Sequence, residues 1–189
     1  MIYKRHITNF IIIALLFLSL STGSHAYAEK IKVIASIAPL ADFVKQIGSE
    51  QVDVTLLLPP GASPHIYEPT PKTLLDVSRA KIFIKVGSGL EFWAEKIIKA
   101  SGNKNLVVVI ASSGIPLIQR PHSHHPSGID PHIWLDPTIA RTIVTTIEKA
   151  LIEVDPPHSE LYRANASAYK IKLSQHLEQY HEVSSLACP

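Results

Sequence analysis

Cysteine is almost absent. Cys188 stands alone in 189 residues, so no intramolecular disulfide can form, and a cysteine-rich zinc knuckle is excluded. An excess of charge is absent as well. Eighteen Lys and Arg against 16 Asp and Glu give a net charge of +2, too even for a nucleic-acid-binding surface. No hydrophobic run is long: the apolar stretch Phe10 to Leu18 falls far short of the ~20 residues that span a bilayer. No cysteine follows that stretch to carry a lipid anchor. The zinc-hydrolase pattern HExxH is missing, and Gly87 and Gly89 have the wrong spacing and place for a dinucleotide fingerprint. Disorder is excluded by a composition of 46% hydrophobic and 18% charged residues.

What the chain has instead is histidine and proline, ten and 14 respectively. Lys4, Arg5 and His6, the apolar run and then Ala26-Tyr27-Ala28 read as a secretory signal peptide over residues 1–28, cleaved after Ala28 or, as the lesser option, after Ala26. The expectation is a soluble periplasmic protein with one core of about 100–150 residues. Two histidines sit in proline-rich loops: His65 in Pro59-Pro60-Gly61-Ala62-Ser63-Pro64-His65, and His132 in Asp130-Pro131-His132-Ile133-Trp134-Leu135-Asp136-Pro137. Flanking prolines restrict the backbone, so each imidazole is held by a stiff loop. With so little cysteine, imidazole is the available soft ligand. The two side chains read as two ligands of one divalent metal. Asp130 is either an acceptor that orients an imidazole or a turn former. Trp134 reads as packing beside the site, and Glu68 as a solvated carboxylate.

Periodicity places these loops. Lys30–Ala35, Val52–Leu58, Lys81–Val86 and Leu106–Ile110 read as strands. Between them, helices are predicted over Pro39–Ile47, ended by Gly48, over Pro71–Ala80 with Leu74, Leu75 and Val77 inward, and over Glu91–Ala100. The alternation predicts an open, mostly parallel four-stranded α/β sheet with helices on both faces. Ligands then sit at the C-terminal strand ends, where the segments carrying His65 and His132 emerge. Asp136 caps a further helix whose ridge is Ile139, Ile143, Ile147 and Leu151, expected on the sheet. From Ser159 to about Val183 runs a helix of roughly 35–40 Å. Its apolar rows read as Leu161, Ala164, Ala168 and Ile171 on one side, and Leu173, Leu177 and Tyr180 on another.

The string LLPPGASPHIYEPTP at 57–71 resembles the first metal-ligand segment of the zinc/manganese class of periplasmic solute-binding proteins, which serve ABC importers, and DPHIWLDP at 130–137 resembles the second. Gly87 to Trp93 is similar to that family's glycine-rich turn, and Asn165-Ala166 with Tyr169 to its interlobe helix. The resemblance implies a two-lobed clamp joined by a rigid helix, with His65 and His132 as the N-terminal lobe's ligands. It also implies a third ligand (His or Glu) and a fourth acidic one from a C-terminal lobe. The expected division is 29–154 for the N-terminal lobe, 155–183 for the interlobe helix and 184–189 for a tail, the C-terminal lobe being absent as in a truncated form.

His122, His124 and His125 form a short tract similar to the metal-gathering loop of zinc members, or else a solvated polar loop. Imidazole suits zinc whereas manganese prefers carboxylates, so Zn²⁺ is the expected ion and Mn²⁺ or Fe²⁺ the alternative. The implied function is capture of Zn²⁺ by a monomer for a membrane permease of the ABC type, with no catalysis and no nucleic acid. A metal-dependent adhesin is the other reading. Because ligating imidazoles must be neutral, metal binding should weaken as pH falls through the histidine range at about 6.5.

Overall fold

The apolar runs form four strands of one parallel sheet in a computed structural model that describes residues 29–119 and 128–187. The strands are β1 (Ile31–Ala35), β2 (Val52–Leu56), β3 (Ile82–Lys85) and β4 (Val107–Ile110), in the order β2-β1-β3-β4. Val33 pairs with both Val54 and Ile82, and Ile82 pairs with Val107. The expected leader lies outside the described residues, and among them no helix is long and apolar enough to cross a membrane.

Strand order and handedness together dictate the layers. A parallel crossover is right-handed, so stepping from β1 to β2 puts its helix on one face, and stepping back past β1 to β3 puts the next on the other. Helix α1 (Ala38–Gly48) thus lies on one face, and α2 (Pro71–Arg79) and α3 (Ala94–Ala100) share the opposite one. Alternate residues divide between two cores: Val33, Ala35, Ile82 and Ile84 into the larger, Ile34 and Phe83 into the smaller. The larger core is completed by α4 (Pro137–Val154) and α5 (Ser159–Ala187). Ile143, Ile147 and Leu151 are fully buried there, each contributing about 1.5–3 kcal/mol.

Local chemistry starts the helices. The Thr70 hydroxyl accepts the Thr73 N–H at 3.2 Å, Thr73 Oγ1 accepts the Thr70 N–H at 3.3 Å, and Pro71 fills the first helical position. Asp136 Oδ1 accepts from Thr138 N at 2.7 Å and caps α4.

Several expectations need correction. Leu75 is 47% exposed, and Thr73 takes the inward position beside Val77. Helix α3 begins at Ala94 rather than Glu91, because Glu91 is drawn into the turn before it. Gly48 is the last residue of α1, and the left-handed residue after it is Ser49 (φ 48°). Gly48 is needed for space, since a Cβ there would stand 2.3 Å from a methyl of Val52. The α4 ridge lies against α1 and α5 as well as β4. Neither expected row of α5 is its buried face: Leu161, Ala164, Ala168 and Ile171 are exposed, as is Tyr180 at 70%, while Leu173 and Leu177 are half-buried. The buried row is Tyr162, Ala166, Tyr169 and Leu173.

Candidate functional site

The direction of winding reverses between β1 and β3, and open α/β sheets bind ligands where that happens. At this point the chain supplies its own carboxylate. Glu91, 4% exposed, accepts the Ser36 hydroxyl at 2.6 Å, the Val86 N–H at 2.8 Å and the Gly87 N–H at 3.0 Å. Ser36 follows β1 and Val86 follows β3, so one side chain ties together the ends of the two central strands. The turn it holds runs through positive φ at Gly87, Ser88 and Gly89 (82°, 55° and 82°), which strains Ser88 alone of the three. The buried Ser88 hydroxyl has no hydrogen-bond partner among the described residues.

His65 and His132 both lie at this C-terminal edge, on segments that leave opposite outer strands. Those strands stand three spacings apart, about 14 Å, so both segments must lean inward to serve one ion. For His65 the inward pull is visible. The indole N–H of Trp93, in the segment after β3, donates to the Pro64 carbonyl at 2.7 Å. Tyr67 packs edge-on against the same indole, ring centres 4.9 Å apart, and its hydroxyl meets Thr73 Oγ1 at 3.1 Å. The residues flanking His65 are therefore fastened to the middle of the sheet rather than to its edge. Its own N–H donates to Ser63 Oγ at 3.3 Å, and the residue is half-buried.

His132 is fixed differently. Pro131 and Ile133 are buried on either side of it, Ile133 in the larger core, which turns the segment back over the sheet. Asp130 Oδ1 accepts the His132 backbone N–H at 3.0 Å and meets ring Nδ1 at 2.8 Å. A carboxylate only accepts, so Nδ1 carries the proton and Nε2 carries the lone pair. Asp130 is thus turn former and imidazole orienter at once. The Trp134 ring centre lies 5.3 Å from that of His132, and its half-buried indole packs on the larger core. Glu68 is exposed.

A cavity of about 310 Å³ opens beside His132, lined by Asp130 and Asp136 among others, and His65 does not line it. Among the described residues, no group of three or more His, Cys, Asp or Glu is placed to hold a metal. One imidazole, that of His132, has its tautomer set by a carboxylate and its Nε2 lone pair turned away from it, the chemistry of a metal donor. His122, His124 and His125 lie outside the described residues.

Sequence reasoning missed Glu91 and Trp93 as organisers of this edge. An acidic side chain and an indole near a Gly-rich turn were visible, but the Ser36 hydroxyl and the Pro64 carbonyl, 55 and 29 residues away, were not.

A family model described as zinc-uptake complex component A, periplasmic, matches residues 33–188. The chain is 32% identical over 167 residues to the high-affinity zinc uptake system protein ZnuA of Bacillus subtilis, covering 83% of this chain and 52% of that one. It is 34% identical over 161 residues to the manganese-binding lipoprotein MntA of Halalkalibacterium halodurans, covering 85% and 52%. Its fold resembles the crystal structure of the metal-dependent lipoprotein YcdH from Bacillus subtilis, with TM-score 0.74 and 32% identity over 82% of this chain and 56% of that one. The chain spans about half the length of these relatives.

Proposed function

The chain belongs to the periplasmic zinc-uptake component A family, and on that premise we propose that it captures a divalent transition-metal ion outside the cytoplasm for the permease of an ABC importer. The ion is Zn²⁺, and His65 and His132 are its ligands in this chain. Export by the leader at 1–28 belongs to the same reading, as does the division into a metal-binding lobe at 29–154 and a helix from 155 onward. The observation that carries the proposal is the Asp130–His132 pair: a carboxylate on Nδ1 orients the ring and leaves the lone pair on Nε2, the arrangement found behind metal-bound histidines. Trp93 gives the His65 loop matching rigidity from the other side of the sheet.

Manganese is the second reading, favoured by the carboxylates of Asp130 and Asp136 around the cavity at His132. Calorimetric titration of the full chain with Zn²⁺, and with Mn²⁺ in competition, decides between them. Zinc should bind weakly at a ratio of one, displace manganese, and lose its heat in both His65→Ala and His132→Ala. Zinc binding that survives both substitutions refutes the ligand assignment, and preference for Mn²⁺ refutes the choice of ion.

A further inference from the structure

We infer that Glu91 is a positioning residue for this metal: its carboxylate sets the turn after β3 and, through Trp93, the place of the His65 loop. The inference rests on the reading of His65 as a ligand, although Glu91 itself is not one. In open α/β sheets the backbone N–H groups at the switch point are what an anionic ligand binds. Here the Val86 and Gly87 N–H groups and the Ser36 hydroxyl already converge on Glu91. The crevice is closed to an anion from outside and holds a built-in negative charge. No Lys, Arg or His pairs with that charge among the described residues, so only these three donors stabilise it there.

The same grip holds the turn in shape. Gly87 and Gly89 take positive φ freely, but Ser88 between them at φ 55° keeps that conformation only where the surroundings over-determine it. At Gly87 a Cβ would come within 2.7 Å of an Ile110 methyl and 2.9 Å of Ser112 Oγ, so β4 presses on the turn from the far side. Glu91 fixes the near side. Two residues on, buried Trp93 turns its indole N–H to the Pro64 carbonyl, next to His65. The carboxylate thus holds the turn, two residues of backbone join Glu91 to Trp93, and the indole holds the ligand loop. Loss of any link should move His65, not merely loosen the fold.

The test is a double-variant cycle on the full chain, with zinc affinity read by calorimetry at a temperature where circular dichroism shows each variant folded. Glu91→Gln keeps the shape but points an NH₂ group at N–H donors, and Trp93→Phe removes the bond to Pro64. Each should weaken zinc binding by about 10–100-fold, and the pair together by about the same factor as one alone. Factors that multiply, or an unchanged affinity in folded Glu91→Gln, overturn the inference.

Should Glu91→Gln fail to fold, Glu91→Asp serves, with hydrogen exchange of the Trp93 indole N–H as the readout. Exchange should quicken relative to wild type, and an unchanged rate counts against Glu91 as surely as unchanged affinity. A wild-type chain that takes up no zinc, or a His65→Ala variant that binds as wild type does, refutes the ligand assignment instead. The indole exchange reports on Glu91 in either case.

Discussion

A single oxygen, Asp130 Oδ1, takes both the backbone N–H and the ring N–H of His132. Asp130→Ala removes both bonds, frees the tautomer and lets the ring turn. Zinc affinity should fall about 10–100-fold while the urea midpoint moves little, since His132 is exposed. Calorimetry and denaturation on the same sample check the two halves, and equal losses in both would make Asp130 a structural residue only. Gly87 makes the opposite case. At φ 82° a side chain is strained by about 1–2 kcal/mol, and its Cβ would also press on Ile110 and Ser112. Gly87→Ala should therefore lower the unfolding free energy by at least that much, read as a fall in the urea midpoint at unchanged slope. The loops that carry His65 and His132 were legible because prolines mark them in the sequence. Asp130 was legible only as two alternatives, which the geometry shows to be one device. Glu91 and Trp93 were not legible, because the distant partners that define them, the Ser36 hydroxyl and the Pro64 carbonyl, are reported by no local pattern.

Among the elements, the strands and the caps at Thr70 and Asp136 were readable, since both depend on neighbours in sequence. The long helix α5 was read correctly in its extent but not in its buried face, because its docking uses amphipathic side chains rather than the most apolar ones. Tyr162 buries its ring and donates its hydroxyl to Asp155, Asn165 donates to the Ile47 carbonyl at 2.9 Å, and Tyr169 donates to Asp42 at 3.2 Å. Lys170 pairs with the half-buried Glu148 at 2.9 Å. Tyrosine and asparagine look polar in a hydropathy row, yet they carry this interface. All four contacts fall in the first half of the helix. Beyond Ser174 only Leu177 is even half-buried among the residues up to Tyr180. Amide exchange should be slow from Tyr162 to about Leu173 and fast by Tyr180. Uniform slow exchange through Tyr180 would mean that something packs on the far half.

For the molecule as a whole, the alternation of apolar runs announced a parallel sheet but not its order. The order β2-β1-β3-β4 puts the two histidine loops on opposite outer strands, and the Trp93–Pro64 bond draws the first of them toward the middle of the sheet. The order also places α1, α4 and α5 on one face, so the docking of α5 on α1 and α4 becomes part of global stability. That docking titrates. Burial, with the Asp155 hydrogen bond and charge behind it, pushes the Tyr162 hydroxyl far above its ordinary range. Burial, then the charge of Asp42 and the hydrogen bond to it, pushes Tyr169 up to about 12. An unfolded tyrosine loses its proton at about 10. Below that pH both states keep the proton and the contribution is complete. From about pH 10 upward the unfolded chain releases protons that the folded chain retains, so stability falls as pH rises towards 12. Urea midpoints between about pH 8 and 11.5 should therefore drop more steeply above 10 in the wild type than in Tyr169→Phe, where one of the retained protons is gone. Parallel curves for the two proteins would mean that the Tyr169–Asp42 contact does not hold α5 against α1 in solution.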